Sequence, residues 1–193
     1  MILDKRISPK EPLSESGFAS MIGMSRTPVR EALKRLQNES LVVSSDKKGY
    51  FLNIPTLKEI KDLYELRAIL EGGAVKLAAQ KIDLRRLEDF EKRILSYKNG
   101  GSDDNEFDFI KVGKEFHLFI VESTQNKKLE ELIKTIYAQL EISRVYAYDQ
   151  RREEAVDEHL RIARALKERD QERSQDYMEQ HLKKSYETLM KIL

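Results

Sequence analysis

The chain has 193 residues, enough for two small domains or one of medium size, and its 35 Lys/Arg and 34 Asp/Glu leave a formal net charge of +1. That balance excludes a uniformly basic nucleic-acid coat and an acidic disordered tail, and the absence of Cys excludes disulfides, thiolate zinc sites and cysteine nucleophiles. No apolar run reaches the ~18 residues that span a bilayer and no signal-peptide pattern opens the chain, so the sequence reads as a soluble cytoplasmic protein with no membrane partner.

The charge is unevenly spread. Residues 1–55 carry 9 Lys/Arg against 6 Asp/Glu, a net of +3, and the remainder carries 26 against 28, a net of −2. A mildly basic head on a mildly acidic body fits a DNA-reading module joined to a part that does not touch DNA.

In chain order, the spacing predicts a short helix over 13–22, with Leu13, Phe18, Met21 and Ile22 apolar and Ser14 as N-cap. Gly23 supplies a sharp turn. A second helix comes next, in which Pro28 suits the first turn and Thr27 or Ser25 can cap. Val29, Leu33 and Leu36 form one buried stripe, while Arg26, Arg30, Lys34 and Arg35 lie off it. Two short helices joined by a Gly turn, the second with an Arg-rich exposed face, have the form of a helix-turn-helix. The β-prone runs Leu41–Ser44 and Tyr50–Ile54, separated by a basic tip ending in Gly49, then predict a hairpin wing. Pro55 ends the second strand and Thr56 can cap the next helix, which places a domain boundary near Pro55.

Helical periodicity then runs to the end of the chain. It predicts helices near 57–80, 84–98, 106–124, 127–149, 152–169 and 171–192, broken by one Gly/Asn-rich loop at 99–105. The expected fold is mainly α: a winged helix-turn-helix over 1–55 and an antiparallel all-α bundle of about six helices over 56–193. Tyr64, Tyr146, Tyr148 and the Phe107–Phe119 cluster read as bundle core.

The run SRTPVREALKRL at 25–36, continued by Leu41-Val42 and a Gly-tipped hairpin, resembles the winged helix of the GntR family of bacterial regulators. The runs YELRAILEGGAVKLAA (64–79), FHLFIVESTQNKKL (116–129), DEHLRIARALKERD (157–170) and MEQHL (178–182) resemble the FadR-type C-terminal domain (FCD) of that family. The resemblance covers nearly the whole chain. Family members usually carry a helix before the segment that starts here at Met1, and only its last few residues have a counterpart.

The resemblance implies a homodimer, joined through the second domain, on a double-stranded inverted-repeat operator. It also implies control by a small carboxylate metabolite that alters the spacing of the two recognition helices. It places Arg26, Thr27 and Arg30 at DNA-contacting positions and Gly49 at the wing tip. With the capping Ser25 and the exposed Lys34, these are the candidate DNA-binding residues. Arg offers a bidentate fork to guanine or phosphate, and a helix N-terminus favours phosphate.

The chain's three histidines, His117, His159 and His181, each fall on a separate predicted helix and on a position that binds metal in many FCD domains. Three neutral imidazoles suit a divalent ion such as zinc or nickel. The family's usual fourth ligand is an Asp four residues before the first His. Here that position is Gly113, and Glu115 points to another helix face. An open position remains for water or an effector carboxylate. Arg67 and Arg144 are the candidate effector-binding cations, Arg67 having Glu71 at i+4 as an alternative partner.

An enzyme reading finds no support in the motifs. A di-metal bundle needs Glu-x-x-His pairs, and Lys114, Val156 and Met178 stand three residues before the histidines. The alternatives left open are a regulator with a decayed, metal-free pocket and, further off, a helical-bundle metal enzyme. A winged helix that binds protein is a third reading, which DNA retention in a salt series would separate from the first.

Overall fold

The computed structural model describes residues 11–45, 49–98, 106–144 and 151–193, the side chains of 106–108, 143 and 144 excepted. Among these residues the elements are α1 (Glu15–Ile22), α2 (Arg26–Asn38), β1 (Val42–Ser45), β2 (Gly49–Leu52), α3 (Leu57–Ala78), α4 (Leu84–Leu95), α5 (Glu106–Ser123), α6 (Lys127–Arg144), α7 (Arg152–Lys167) and α8 (Gln171–Ile192). The expected class holds: two short helices and an antiparallel wing precede six helices. The loop at 99–105, the wing residues 46–48 and both Tyr146 and Tyr148 lie outside the described residues. The chain divides into two compact units, Met1–Glu59 with Thr135–Tyr146, and Ile60–Lys134 with Ala147–Leu193.

In the first unit, Ser14 caps α1 by accepting from the Gly17 N–H at 3.0 Å, and Gly23 ends the helix in the left-handed region at φ 68°. Ser25 holds the N-cap position of α2 with extended backbone, but its side chain makes no capping bond. Ala19, Val29 and Leu33 pack the two helices together, with Phe18 and Tyr50 against them. The wing pairs Val42 with Leu52 and Ser45 with Gly49, and its buried face meets Leu13, Phe18 and Leu36.

Leu13 corrects the sequence reading. It is not the first residue of α1 but makes an antiparallel bridge with Tyr50, donating to the Tyr50 carbonyl at 2.6 Å and accepting from the Tyr50 N–H at 3.1 Å. The reason is local: a capping serine has extended backbone, so the residue before it is extended too and free to pair with a strand. The bridge also explains Gly49. Its φ is +93°, and a Cβ there would lie 2.8 Å from the Leu13 carbonyl oxygen, so the fold itself demands glycine. At the C-cap of α2, Gln139 Nε2 donates to the Glu39 carbonyl at 2.8 Å.

Helix α3 begins with a capping box. The Thr56 hydroxyl accepts from the Glu59 N–H, and the Glu59 carboxylate accepts from the Thr56 N–H. Asp83 and Asp170 cap α4 and α8 through their own carboxylates. The core of the second unit centres on Phe90, Phe116 and Phe119, joined by Leu87, Ile94, Ile120, Ile162 and Leu166. Tyr64 and Phe109 are buried as expected. On the buried face of α3, at Ile60, Tyr64, Arg67, Glu71, Ala74, Val75 and Ala78, two charged residues occupy positions that otherwise hold core side chains.

Candidate functional site

The second unit brings the three histidines together. His117 lies on α5, His159 on α7 and His181 on α8, all three buried, and their ligand nitrogens fall within 4.8 Å of one another. His117 Nε2 stands at the centre, 3.1 Å from His159 Nε2 and 3.2 Å from His181 Nε2. A tetrahedral zinc with imidazole nitrogens at about 2.0–2.1 Å would set neighbouring donors about 3.3 Å apart.

The opposite nitrogens explain why the ε atoms converge. His117 Nδ1 lies 2.5 Å from Glu71 Oε2, and Glu71 Oε1 accepts from Arg67 Nε at 2.7 Å. His181 Nδ1 lies 2.8 Å from Glu158 Oε2, whose other oxygen accepts from Arg151 Nη2 at 2.6 Å and Lys184 Nζ at 3.1 Å. Burial alone would raise the Glu71 carboxyl, but Arg67 and His117 outweigh it and hold it at about 2. Glu158 is likewise held at about 2, burial being outweighed by His181, Lys184 and Arg151. Both carboxylates are therefore ionised and can only accept, so the facing Nδ1 atoms carry the protons.

That assignment turns the Nε2 atoms of His117 and His181 toward each other across 3.2 Å, where a proton on one of them or a shared cation bridges the pair. Burial, opposed only in part by Glu158, lowers His181 to about 4, and burial together with the neighbouring cations pushes His159 well below its ordinary value. His159 and His181 are thus favoured in the neutral form, the one that binds metal. His159 Nδ1 is buried with no hydrogen-bond partner among the described residues. The donor set fits a divalent ion.

The backbone of Gly113, one turn before His117, closes on the cluster. A Cβ there would lie 3.1 Å from His159 Cε1 and 3.8 Å from its Nε2. Of the two expected effector cations, Arg67 is buried and ion-paired with Glu71, so it reaches the cluster through that carboxylate. The side chain of Arg144 lies outside the described residues. Glu158, Arg151 and Lys184 are members of the site that sequence reasoning missed.

In the first unit, Ser25, Arg26, Thr27, Arg30 and Lys34 are all exposed along α2, opposite the buried Val29 and Leu33. Gly49 stands at the start of β2. The helix face is continuous and cationic.

Known proteins resemble the chain over both units. The sequence profile described as "Bacterial regulatory proteins, gntR family" matches residues 1–52, and that of the FCD domain matches residues 62–184. The Nta operon transcriptional regulator of Aminobacter aminovorans is 28% identical over 193 residues, covering 100% of this chain and 91% of that protein. The HTH-type transcriptional repressor RspR of Escherichia coli is 24% identical over 188 residues, covering 96% and 82%. Among solved structures, E. coli McbR/YncC superposes with a TM-score of 0.82 at 21% identity, covering 98% of this chain and 92% of that one. A putative transcriptional regulator GntR from Rhodococcus sp. RHA1 superposes with a TM-score of 0.82 at 20% identity, covering 100% and 93%. At such identities these superpositions speak for the fold.

Proposed function

Because the chain belongs to the gntR family of bacterial regulatory proteins and carries an FCD domain, we propose that it is a transcription regulator whose operator binding is set by a metal-bound carboxylate metabolite. The observation that carries the sensor half is the convergence of three buried imidazoles, with Glu71 and Glu158 holding the Nδ1 atoms of His117 and His181 so that their Nε2 atoms face one another. In this reading His117, His159 and His181 hold the ion, with zinc or nickel best suited to three imidazoles. The ion supplies an electrophilic anchor for an oxygen ligand. Three neutral donors leave its double charge uncompensated, and Gly113 adds no carboxylate, which favours an anionic effector. Residues 1–55 then read DNA through Ser25, Arg26, Thr27, Arg30, Lys34 and Gly49, and residues 56–193 sense.

Untagged protein is expected to carry about one divalent ion per chain by elemental analysis. Its retention on immobilised duplex DNA should fall steeply with salt, and change when a chelator or a small carboxylate is added. Salt-independent retention would overturn the DNA half. Absence of any ion would overturn the sensor half.

The homodimer in this reading is supported by α3. Leu66, Ile69 and Leu77 are exposed along one of its faces, Ile69 at 71%, and the Cβ position of Gly73 between them meets only open space. Antiparallel pairing of two α3 helices about Gly73 sets Ile69 against Leu77, so apolar meets apolar, and brings Glu65 toward Lys81 in the turn just past the end of the other helix. Ile69→Asp is expected to convert a dimer into a monomer by light scattering at micromolar concentration. Glu65→Lys should weaken the dimer, and adding Lys81→Glu should restore it. A dimer indifferent to all three changes is built on another face.

A further inference from the structure

One carboxylate from the preceding helix contacts two of the three arginines of the recognition helix, Arg26 and Arg30. Glu15, in the first turn of α1, presents both Oε atoms to Arg30 Nε at 3.0 Å, and its Oε2 lies 3.7 Å from Arg26 Nη2. Glu15 is the best-covered member of the trio, its side chain 21% exposed against 51% for Arg30 and 65% for Arg26. Both ends of the contact rise from fixed backbone. Ser14 caps the turn that carries Glu15, and Arg30 follows Val29, which is buried against Ala19. The first turn of a helix also favours a negative side chain on its own account.

The geometry decides what Arg30 can offer. A guanidinium has five N–H donors in a rigid fork, and bonding through Nε uses one. The terminal Nη groups keep four donors for a ligand, and two of those, side by side, match the O6 and N7 edge of guanine. A fork already held in place gives up less rotamer freedom when it meets that edge. Against a phosphate the same carboxylate works the other way, because it adds a negative charge beside the DNA backbone and cancels part of the arginine's attraction. Phosphate binding needs charge alone, whereas base reading needs charge and direction.

From this contact we infer that Glu15 is a specificity-determining positioning residue: it aims the Arg30 fork at a base edge and discourages Arg26 and Arg30 from settling on arbitrary phosphates. The inference rests on the reading of Arg26 and Arg30 as DNA contacts. A surface ion pair that merely ties α1 to α2 would make a different prediction, since loosening it would weaken every DNA complex alike.

The test uses the full chain and two duplexes, one enriched by the wild-type protein from a random-sequence pool and a scrambled one of the same composition. Glu15→Gln is expected to bind the scrambled duplex about threefold to tenfold more tightly, with a salt slope steeper by about one phosphate contact. The selected duplex should be bound more weakly, so that the ratio of the two affinities falls by roughly tenfold or more. Glu15→Asp keeps the charge but shortens the arm, so it should hold the scrambled duplex at wild-type affinity and still lose selectivity. Should Glu15→Gln melt well below the wild type, Glu15→Asp carries the test. A fresh selection with Glu15→Gln should blur the same base position that Arg30→Ala blurs. Equal weakening on both duplexes, or no change on either, overturns the inference. If Arg30→Ala selects the wild-type sequence, the DNA reading of Arg30 fails, and the positioning role fails with it.

Discussion

Glu71→Leu is expected to lower the melting temperature of the second unit by roughly 6–20 °C, measured with a chelator present so that metal release does not contribute. Breaking a buried ion pair from one side costs about 3–5 kcal/mol, and a chain of this size loses about 2–4 °C per kcal/mol. The size of the effect comes from the surroundings. Arg67 is 2% exposed and Glu71 1%, and the pair stands in the core face of α3. Without Glu71 the guanidinium stays buried and loses the carboxylate that Nε bonds, while His117 Nδ1 loses its contact with the same group. The double replacement Arg67→Met with Glu71→Leu should recover much of the loss, because no buried charge is then left facing an apolar side chain. A double variant no better than Glu71→Leu alone would show that shape at position 71, and not the charge of Arg67, sets the effect.

On the proposed metal reading, wild-type protein is expected to hold about one divalent ion per chain and His117→Ala none. His117 Nε2 approaches both other imidazoles, at 3.1 and 3.2 Å, so its loss takes away the central donor and leaves only two. Glu158→Gln should have a graded effect, lowering metal affinity about 10–100-fold, since it orients His181 without touching the ion. The series separates ligands from their supports in a competition titration with a coloured chelator. Equal metal content in wild type and His117→Ala would move the ion to another place on the chain.

Much of the architecture was legible because it is written in local chemistry. Among the described residues apolar spacing located the helices to within a few residues, the expected stretch 145–149 lying outside them, and Ser14, Gly23 and Thr56 mark element ends through bonds to near neighbours. Leu13 escaped because its partner, Tyr50, comes from the other end of the winged helix, and the pairing is long-range. Gly49 was legible as the glycine of the wing, but its closeness to the Leu13 carbonyl was not.

The site divides along the same line. Arg67 and Glu71 carry a signal that periodicity can find, two charges set in a stripe of core positions. Glu158 carries none, because the residues that make it important, His181, Arg151 and Lys184, lie 23, 7 and 26 positions away along the chain. The convergence of His117 with histidines 42 and 64 positions away has no signature in spacing either. Only the resemblance suggested it. Glu15 and Arg30, 15 positions apart on successive helices, are a similar case.

The three-imidazole cluster has a consequence for the kind of stress that can reach it. Thiolate metal sites surrender their ion when peroxide or disulfide exchange oxidises the sulfur. Here the donors are nitrogen, and the chain contains no cysteine at all. Oxidative stress has no residue in this cluster to attack by that route, so in the proposed reading, with a redox-inactive ion, occupancy would follow the supply of metal and anion and not the oxidation of a ligand.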